Sequence, residues 1–156
     1  ATASTTTYGI TVPAGVTADL LEDVFISHCY FQSGAAAASG ANGPAVNVLS
    51  TTHGLAVENS TFELKGTAAW ADAILSSNAG SLGLSVIDCD FKTPTSATTV
   101  MTDAIDVTGQ TVDGSTLVLR CYFPAGTDAL EGSATPDVNV AESYTADATS
   151  GSIVAK

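Results

Sequence analysis

The fold of this chain is decided by four segments of similar sequence, VFISHCYF (24–31), LAVENSTF (55–62), LSVIDCDF (84–91) and TLVLRCYF (116–123). The segments align on their last residue, a phenylalanine, and successive phenylalanines lie 31, 29 and 32 residues apart. The positions two, five and seven residues before the phenylalanine hold small or apolar residues in every copy. A repeat of this length predicts an architecture in which each copy packs on the next one.

The spacing of these positions predicts two short strands joined by a bend. The positions seven and five residues before the phenylalanine differ by two, as do the positions two and zero, and two is the period of a β-strand. Between the two pairs the step is three. We expect a sharp bend at one residue, which would let both halves face inward.

A second, weaker element precedes each later segment and follows the last one. Its aliphatic positions align, and three of its copies begin with an aspartate in the same column. The aliphatic column is Val46, Ile74, Ile105 and Leu130. Strands that recur roughly every 30 residues, with no helical pattern between them, predict an all-β solenoid. We therefore expect about four coils in residues 19–131, with an N-terminal arm at 1–18 and a C-terminal arm at 132–156.

The repeated sequence pattern also resembles that of a known class of fold. The second copy reads aliphatic–x–aliphatic, the polar pair Glu58-Asn59, a small residue, one spacer and phenylalanine, and the other copies vary this combination. This pattern, over roughly residues 20–131, is similar to the coils of right-handed parallel β-helices, which occur in pectate-lyase-like proteins, phage tailspikes and other virion proteins. The resemblance implies a short right-handed parallel β-helix. An ordinary β-sandwich with a chance spacing of phenylalanines is the alternative.

The charge and the cysteines narrow the possible functions. Sixteen acidic residues against four basic ones give a formal net charge of −12. Such a surface repels phosphate backbones and anionic lipids, so neither a nucleic acid nor a membrane is an expected partner. The N-terminal residues lack the basic and apolar regions of a signal peptide, so no secretion signal is expected. The odd number of cysteines, three, argues against a disulfide framework.

Several apolar residues fall at positions predicted to point away from the core. Either these strands are misphased or the residues form a buried face between subunits, and we favour the interface. The resemblance points the same way, because β-helix virion proteins are typically trimers, and we expect a homotrimer. The predicted interface residues are Phe25, Tyr30, Ile87, Leu117, Leu119 and Tyr122.

Two groups of carboxylates lie where they could carry chemistry. Asp72, Asp103 and Asp128 share one column, where they could bind Ca²⁺ or, as we favour, cap their own corner turns. Asp88 shares an outward column with Arg120, one coil away, and we expect an ion pair there and not a catalytic group. The sequence therefore predicts no enzyme, no cofactor and no metal.

The thiols are predicted to be structural. Cys29, Cys89 and Cys121 occupy one inward column, in which Ser60 stands once. Free cysteine behaves as a small buried hydrophobe, and neither a CxxC motif nor a suitably spaced histidine accompanies these residues. We expect free core thiols.

Elimination of the other classes, together with the resemblance to β-helix virion proteins, favours a virion structural protein. A phage capsid decoration (cement) protein is the leading hypothesis, with copies of itself and the major capsid protein or another virion protein as partners. Such a protein would be located in the virion, after assembly in the host cytoplasm. The alternatives are a phage tail fibre or spike component, a pectate-lyase-like β-helix that binds or cleaves carbohydrate, and a subunit of a cell-surface adhesin.

Overall fold

The computed structural model describes residues 9–12, 21–33, 43–49, 51–64, 72–76, 83–93, 101, 103–108, 116–124, 128–131 and 138–145. Regular structure within these residues consists of β-strands alone, and all of the strands are short. The strands are β1 (Ile10–Val12), β2 (Leu21–Glu22), β3 (Phe25–Ser27), β4 (Tyr30–Gln32), β5 (Val46–Val48), β6 (Thr52–His53), β7 (Ala56–Glu58), β8 (Thr61–Glu63), β9 (Asp72–Ser76), β10 (Leu84–Ile87), β11 (Asp90–Lys92), β12 (Asp103–Asp106), β13 (Thr116–Leu119), β14 (Tyr122–Phe123), β15 (Asp128–Glu131), β16 (Val138–Ala141) and β17 (Tyr144–Thr145).

The strands form three five-stranded parallel sheets and one two-stranded sheet, β2–β6. Sheet 1 has the order β1–β5–β9–β12–β15, sheet 2 the order β3–β7–β10–β13–β16, and sheet 3 the order β4–β8–β11–β14–β17. Each sheet follows the order of the chain, so the chain passes sheets 1, 2 and 3 in turn and then repeats the circuit one row higher. The predicted all-β, parallel, repeating architecture is confirmed, and it is like that of a parallel β-helix.

The sheets have five rows, whereas the sequence predicted about four coils. The row that was missed is VNVAESYT (138–145), which pairs in register with β13 and β14. It keeps the small and apolar columns but ends on Thr145 in place of phenylalanine, and its Ser143 follows Cys121 by only 22 residues. Strand β1 likewise lies within the segment predicted as an arm at 1–18 and pairs with β5. The other residues of both predicted arms lie outside the described residues.

The core is built around a stack of four phenylalanine rings. The ring centroids of Phe31 and Phe62 are 4.9 Å apart, and those of Phe62 and Phe91 and of Phe91 and Phe123 are 5.0 Å apart. The rings are nearly parallel, with interplanar angles of 9°, 10° and 13°. The spacing matches the distance between neighbouring strands, so each of the first four rows contributes one ring at the same position. This confirms the phenylalanine column as core.

The predicted bend between the strands of sheets 2 and 3 is present in every row. One residue in each row adopts the left-handed backbone conformation, although none of these residues is glycine. The residues and their φ angles are His28 (55°), Asn59 (48°), Asp88 (52°), Arg120 (50°) and Glu142 (50°). We call them the bend column. The amides of the first four still donate hydrogen bonds to the next row, as from His28 N to the Glu58 carbonyl oxygen at 3.2 Å and from Arg120 N to that of Ala141 at 3.1 Å.

A second left-handed corner precedes sheet 2. Gly54 and Gly83 have φ angles of 76° and 73°, and Asp23 occupies the same place in the first row with a φ of 55°. A Cβ atom at Gly83 would lie 3.2 Å from the backbone nitrogen of Gly54. A side chain at Gly83 would therefore crowd the backbone of the preceding row.

Candidate interaction surface

The outward surface of sheets 2 and 3 is divided by the bend column into two faces. In each strand of sheet 2 the outward residues flank a core residue, as Ala56 and Glu58 flank the fully buried Val57. Strand pairing aligns these residues into straight columns across the rows. The sheet 2 face consists of the columns Phe25–Ala56–Ser85–Leu117–Asn139 and Ser27–Glu58–Ile87–Leu119–Ala141. The sheet 3 face consists of the columns Tyr30–Thr61–Asp90–Tyr122 and Gln32–Glu63–Lys92.

All six residues predicted for an interface occupy outward positions. Three of them are large exposed aromatic side chains, Phe25 at 62%, Tyr30 at 59% and Tyr122 at 45% of full exposure. The other three, Ile87, Leu117 and Leu119, are partly exposed and lie on the neighbouring strands β10 and β13.

The structure does not gather the six residues into one patch. Phe25 and Tyr30 belong to the first row, whereas Leu117, Leu119 and Tyr122 belong to the fourth. The two tyrosines also lie on the sheet 3 face, across the bend column from the rest. That these residues form an interface between subunits remains a prediction.

The predicted ion pair is present in the bend column. The Arg120 side chain donates two hydrogen bonds to the Asp88 carboxylate, from Nε to Oδ1 at 2.7 Å and from the second terminal nitrogen to Oδ2 at 2.8 Å. This hydrogen bonding from Arg120 holds the pKa of Asp88 below its ordinary value. A second ion pair on the sheet 3 face joins Lys92 Nζ to Asp90 Oδ2 at 2.8 Å. Both pairs are exposed, so each contributes little to stability.

A shallow groove of about 540 Å³ opens beside the Asp88–Arg120 pair. Its lining combines three carboxylates, one guanidinium group and one exposed aromatic ring, all on rows three to five. The lining residues are Asp88, Cys89, Asp90, Arg120, Cys121, Tyr122 and Glu142. The Oδ1 atom of Asp90 is inaccessible to solvent and has no hydrogen-bond partner among the described residues. The groove can offer hydrogen bonds and one ring face to a ligand. Sequence reasoning missed Glu142, because its row lacks the phenylalanine that marked the others.

The three thiols lie in the predicted inward column and are free. Cys89 and Cys121 are buried, and each thiol donates to a carbonyl oxygen of the preceding row, Val57 at 3.5 Å and Val86 at 3.4 Å. The pKa of Cys89 is raised, first by its hydrogen bond with Cys121 and then by burial. A thiol held protonated in this way is a poor nucleophile.

The aspartates of sheet 1 align as expected. Asp103 pairs in register with Asp72 on one side and with Asp128 on the other, and Asp103 is buried, at 4% exposure. No group of three or more potential metal ligands occurs within the residues that the structure describes. That these aspartates cap their corner turns, or that they bind Ca²⁺, therefore remains a prediction in each case.

Similarity to known proteins does not identify the chain. No protein-family model, no curated protein and no solved structure matches it. In the part of the chain that the structure describes, no helix is long and apolar enough to cross a membrane. The function must therefore be argued from the surface itself.

Proposed function

We propose that this chain is a virion structural protein, a phage capsid decoration protein that forms a homotrimer and reinforces the capsid lattice. The proposed subunit is a short right-handed parallel β-helix, and it has no catalytic role. The observation that carries the proposal is the set of exposed aromatic side chains, Phe25, Tyr30 and Tyr122, on outward faces of the sheets. Aromatic residues are enriched in protein interfaces and supply much of their binding energy.

The rigidity of the scaffold supports a role in binding. The outward side chains stand on strands that are paired in register with a neighbouring row, above a core of stacked rings. A surface that is already ordered loses little conformational freedom when a partner binds. The same rigidity suits a protein that must brace its partner against deformation.

The charge of the chain indicates the kind of partner surface. A net charge of −12 favours a basic patch and speeds the encounter with it at low salt. A trimer would contact several subunits of a lattice at once, and such multivalent attachment is much tighter than any single contact. We therefore expect salt to slow attachment.

The proposal is tested by adding the protein back to particles that lack it. The protein should cosediment with the particles and raise the temperature at which they rupture. The double variant Phe25→Ser/Tyr30→Ser should bind at least about tenfold more weakly, because loss of a hot-spot aromatic costs about 2 kcal/mol or more. Thr61→Ser, on the sheet 3 face of the next row, is the matched control and should bind normally. Failure of the wild-type protein to bind, or binding without a higher rupture temperature, would contradict the proposal.

The same preparation distinguishes a capsid protein from a tail fibre or spike component. Electron microscopy of particles with gold-labelled protein should show the label over the shell. Label confined to the tails would favour the alternative location.

A carbohydrate-binding or carbohydrate-cleaving β-helix is the second candidate, and the groove favours it. Carboxylates and a guanidinium group can hydrogen-bond hydroxyl groups, and the ring of Tyr122 can pack on a sugar. Binding to an acidic polysaccharide should then require Ca²⁺ and should be lost in Tyr122→Ala. No binding and no cleavage, with or without Ca²⁺, would eliminate this candidate.

A further inference from the structure

We infer that copies of this chain contact one another through the sheet 2 face. The inference rests on the self-association in the proposed function and specifies the surface that carries it. It divides the six predicted interface residues into a group that contacts other copies and a group that is left for the lattice. Phe25, Ile87, Leu117 and Leu119 lie on the sheet 2 face, whereas Tyr30 and Tyr122 lie beyond the bend column.

The distribution of charge over the outward surface favours a second copy as the partner of the sheet 2 face. Of the ten outward positions in the two columns of the sheet 2 face, only Glu58 carries a charge. The bend column next to it contains Asp88, Arg120 and Glu142. The sheet 3 face contains Asp90, Glu63 and Lys92. The sheet 2 face is thus almost uncharged, although the chain has sixteen acidic residues.

An uncharged face matters most when the partner is an identical chain. Two copies that each carry a net charge of −12 repel one another, and at physiological salt this repulsion is screened only beyond about 8 Å. Contact through acidic side chains would also bury ionised groups without partners, which is costly. Contact through the sheet 2 face buries few ionised groups and so avoids the second cost. A basic partner, by contrast, would gain nothing from a face that has so few carboxylates.

The shape and chemistry of the sheet 2 face also suit contact with a second copy. Ile87, Leu117 and Leu119 form an apolar cluster on adjacent strands, all partly exposed. Ala56 and Ser85 in the rows beside them are small, so the backbone of a second copy can approach closely. Five strands about 4.8 Å apart and four residues at about 3.3 Å each give a face of roughly 20 Å by 13 Å. A standard interface buries about 800 Å² per partner, so we expect an association that dilution can reverse.

The test adds one negative charge on either side of the bend. Ala56→Glu places it on the sheet 2 face, and Thr61→Glu places it in the same row on the sheet 3 face; both residues are partly exposed. Sedimentation equilibrium should show wild-type protein and Thr61→Glu above the 15.6 kDa chain mass. Ala56→Glu should weaken association on the order of 100-fold, because like charges brought together in an interface cost several kcal/mol. Circular dichroism identifies any variant that fails to fold. If Ala56→Glu does not fold, Ser85→Glu takes its place, with the same expected result.

Two further measurements complete the test. Glu58→Gln removes the only charge in the two columns and should tighten association, as should added salt. A wild-type mass of one chain at every concentration, or dissociation by Thr61→Glu and not by Ala56→Glu or Ser85→Glu, would overturn the inference. Particle attachment is scored separately. Normal self-association without attachment would refute the lattice role and leave this inference standing, whereas attachment of single chains would refute this inference and the proposed trimer but not the lattice role.

Discussion

Truncating Phe62 to alanine removes one ring from the interior of the phenylalanine stack. The Phe62 side chain is fully buried and stacks on Phe31 at 4.9 Å and on Phe91 at 5.0 Å. Phe→Ala changes in protein cores cost about 3–5 kcal/mol, because the transfer energy is lost and a cavity remains. Strand pairing holds the rows on both sides at a fixed spacing, so the cavity cannot close. We therefore expect a loss of about 4–5 kcal/mol for Phe62→Ala.

Phe31→Ala is the matched control within the same column. Phe31 is only half-buried and stacks on a single ring. We expect its truncation to cost about 2 kcal/mol, within the range for burying one such side chain. Urea denaturation followed by circular dichroism measures both free energies of unfolding. A Phe62→Ala protein within 1 kcal/mol of wild type, or no more destabilised than Phe31→Ala, would refute the stacked core.

Three further predictions concern the thiols, the bend column and the ion pair. Thiol titration of native protein should label Cys29 first and Cys89 and Cys121 only slowly, reaching three per chain in denaturant; a Cys89–Cys121 disulfide in fresh protein would contradict this. His28→Gly should raise the free energy of unfolding by about 0.5–1 kcal/mol, because glycine relieves a left-handed penalty of roughly 1–2 kcal/mol at some entropic cost, whereas His28→Ala should bring no gain. Asp88→Asn should reduce stability slightly near pH 7. Because the folded pKa of Asp88 is below the unfolded value, the ion pair stabilises the fold above that unfolded pKa, and the difference between Asp88→Asn and wild type should vanish as the pH falls through the folded pKa.

The sequence predicted the rows of the fold that a phenylalanine marks at the same position. Four phenylalanines marked four rows, and the step of three between inward positions predicted a bend in each of them. The fifth row has threonine at that position and a shorter connection, so a search anchored on phenylalanine could not find it. The left-handed backbone at Arg120 was also beyond prediction, because arginine has no preference for that conformation; a hydrogen bond between rows holds it.

The candidate surface was predicted in its residues but not in its geometry. Alternation along each strand sufficed to place Leu117 and Leu119 on the outside, and a shared column sufficed to pair Asp88 with Arg120. The division into two faces could not be predicted, because it depends on the angle of the bend. The groove was missed because Glu142 belongs to the unrecognised fifth row.

The most direct test of the whole account is electron cryo-microscopy of particles that carry the protein. The account predicts three copies around a local threefold axis on the capsid surface, with their sheet 2 faces turned toward one another. Tyr30 and Tyr122 should then lie toward basic patches of the lattice. Isolated single copies, or copies attached to the lattice through the sheet 2 face, would contradict it.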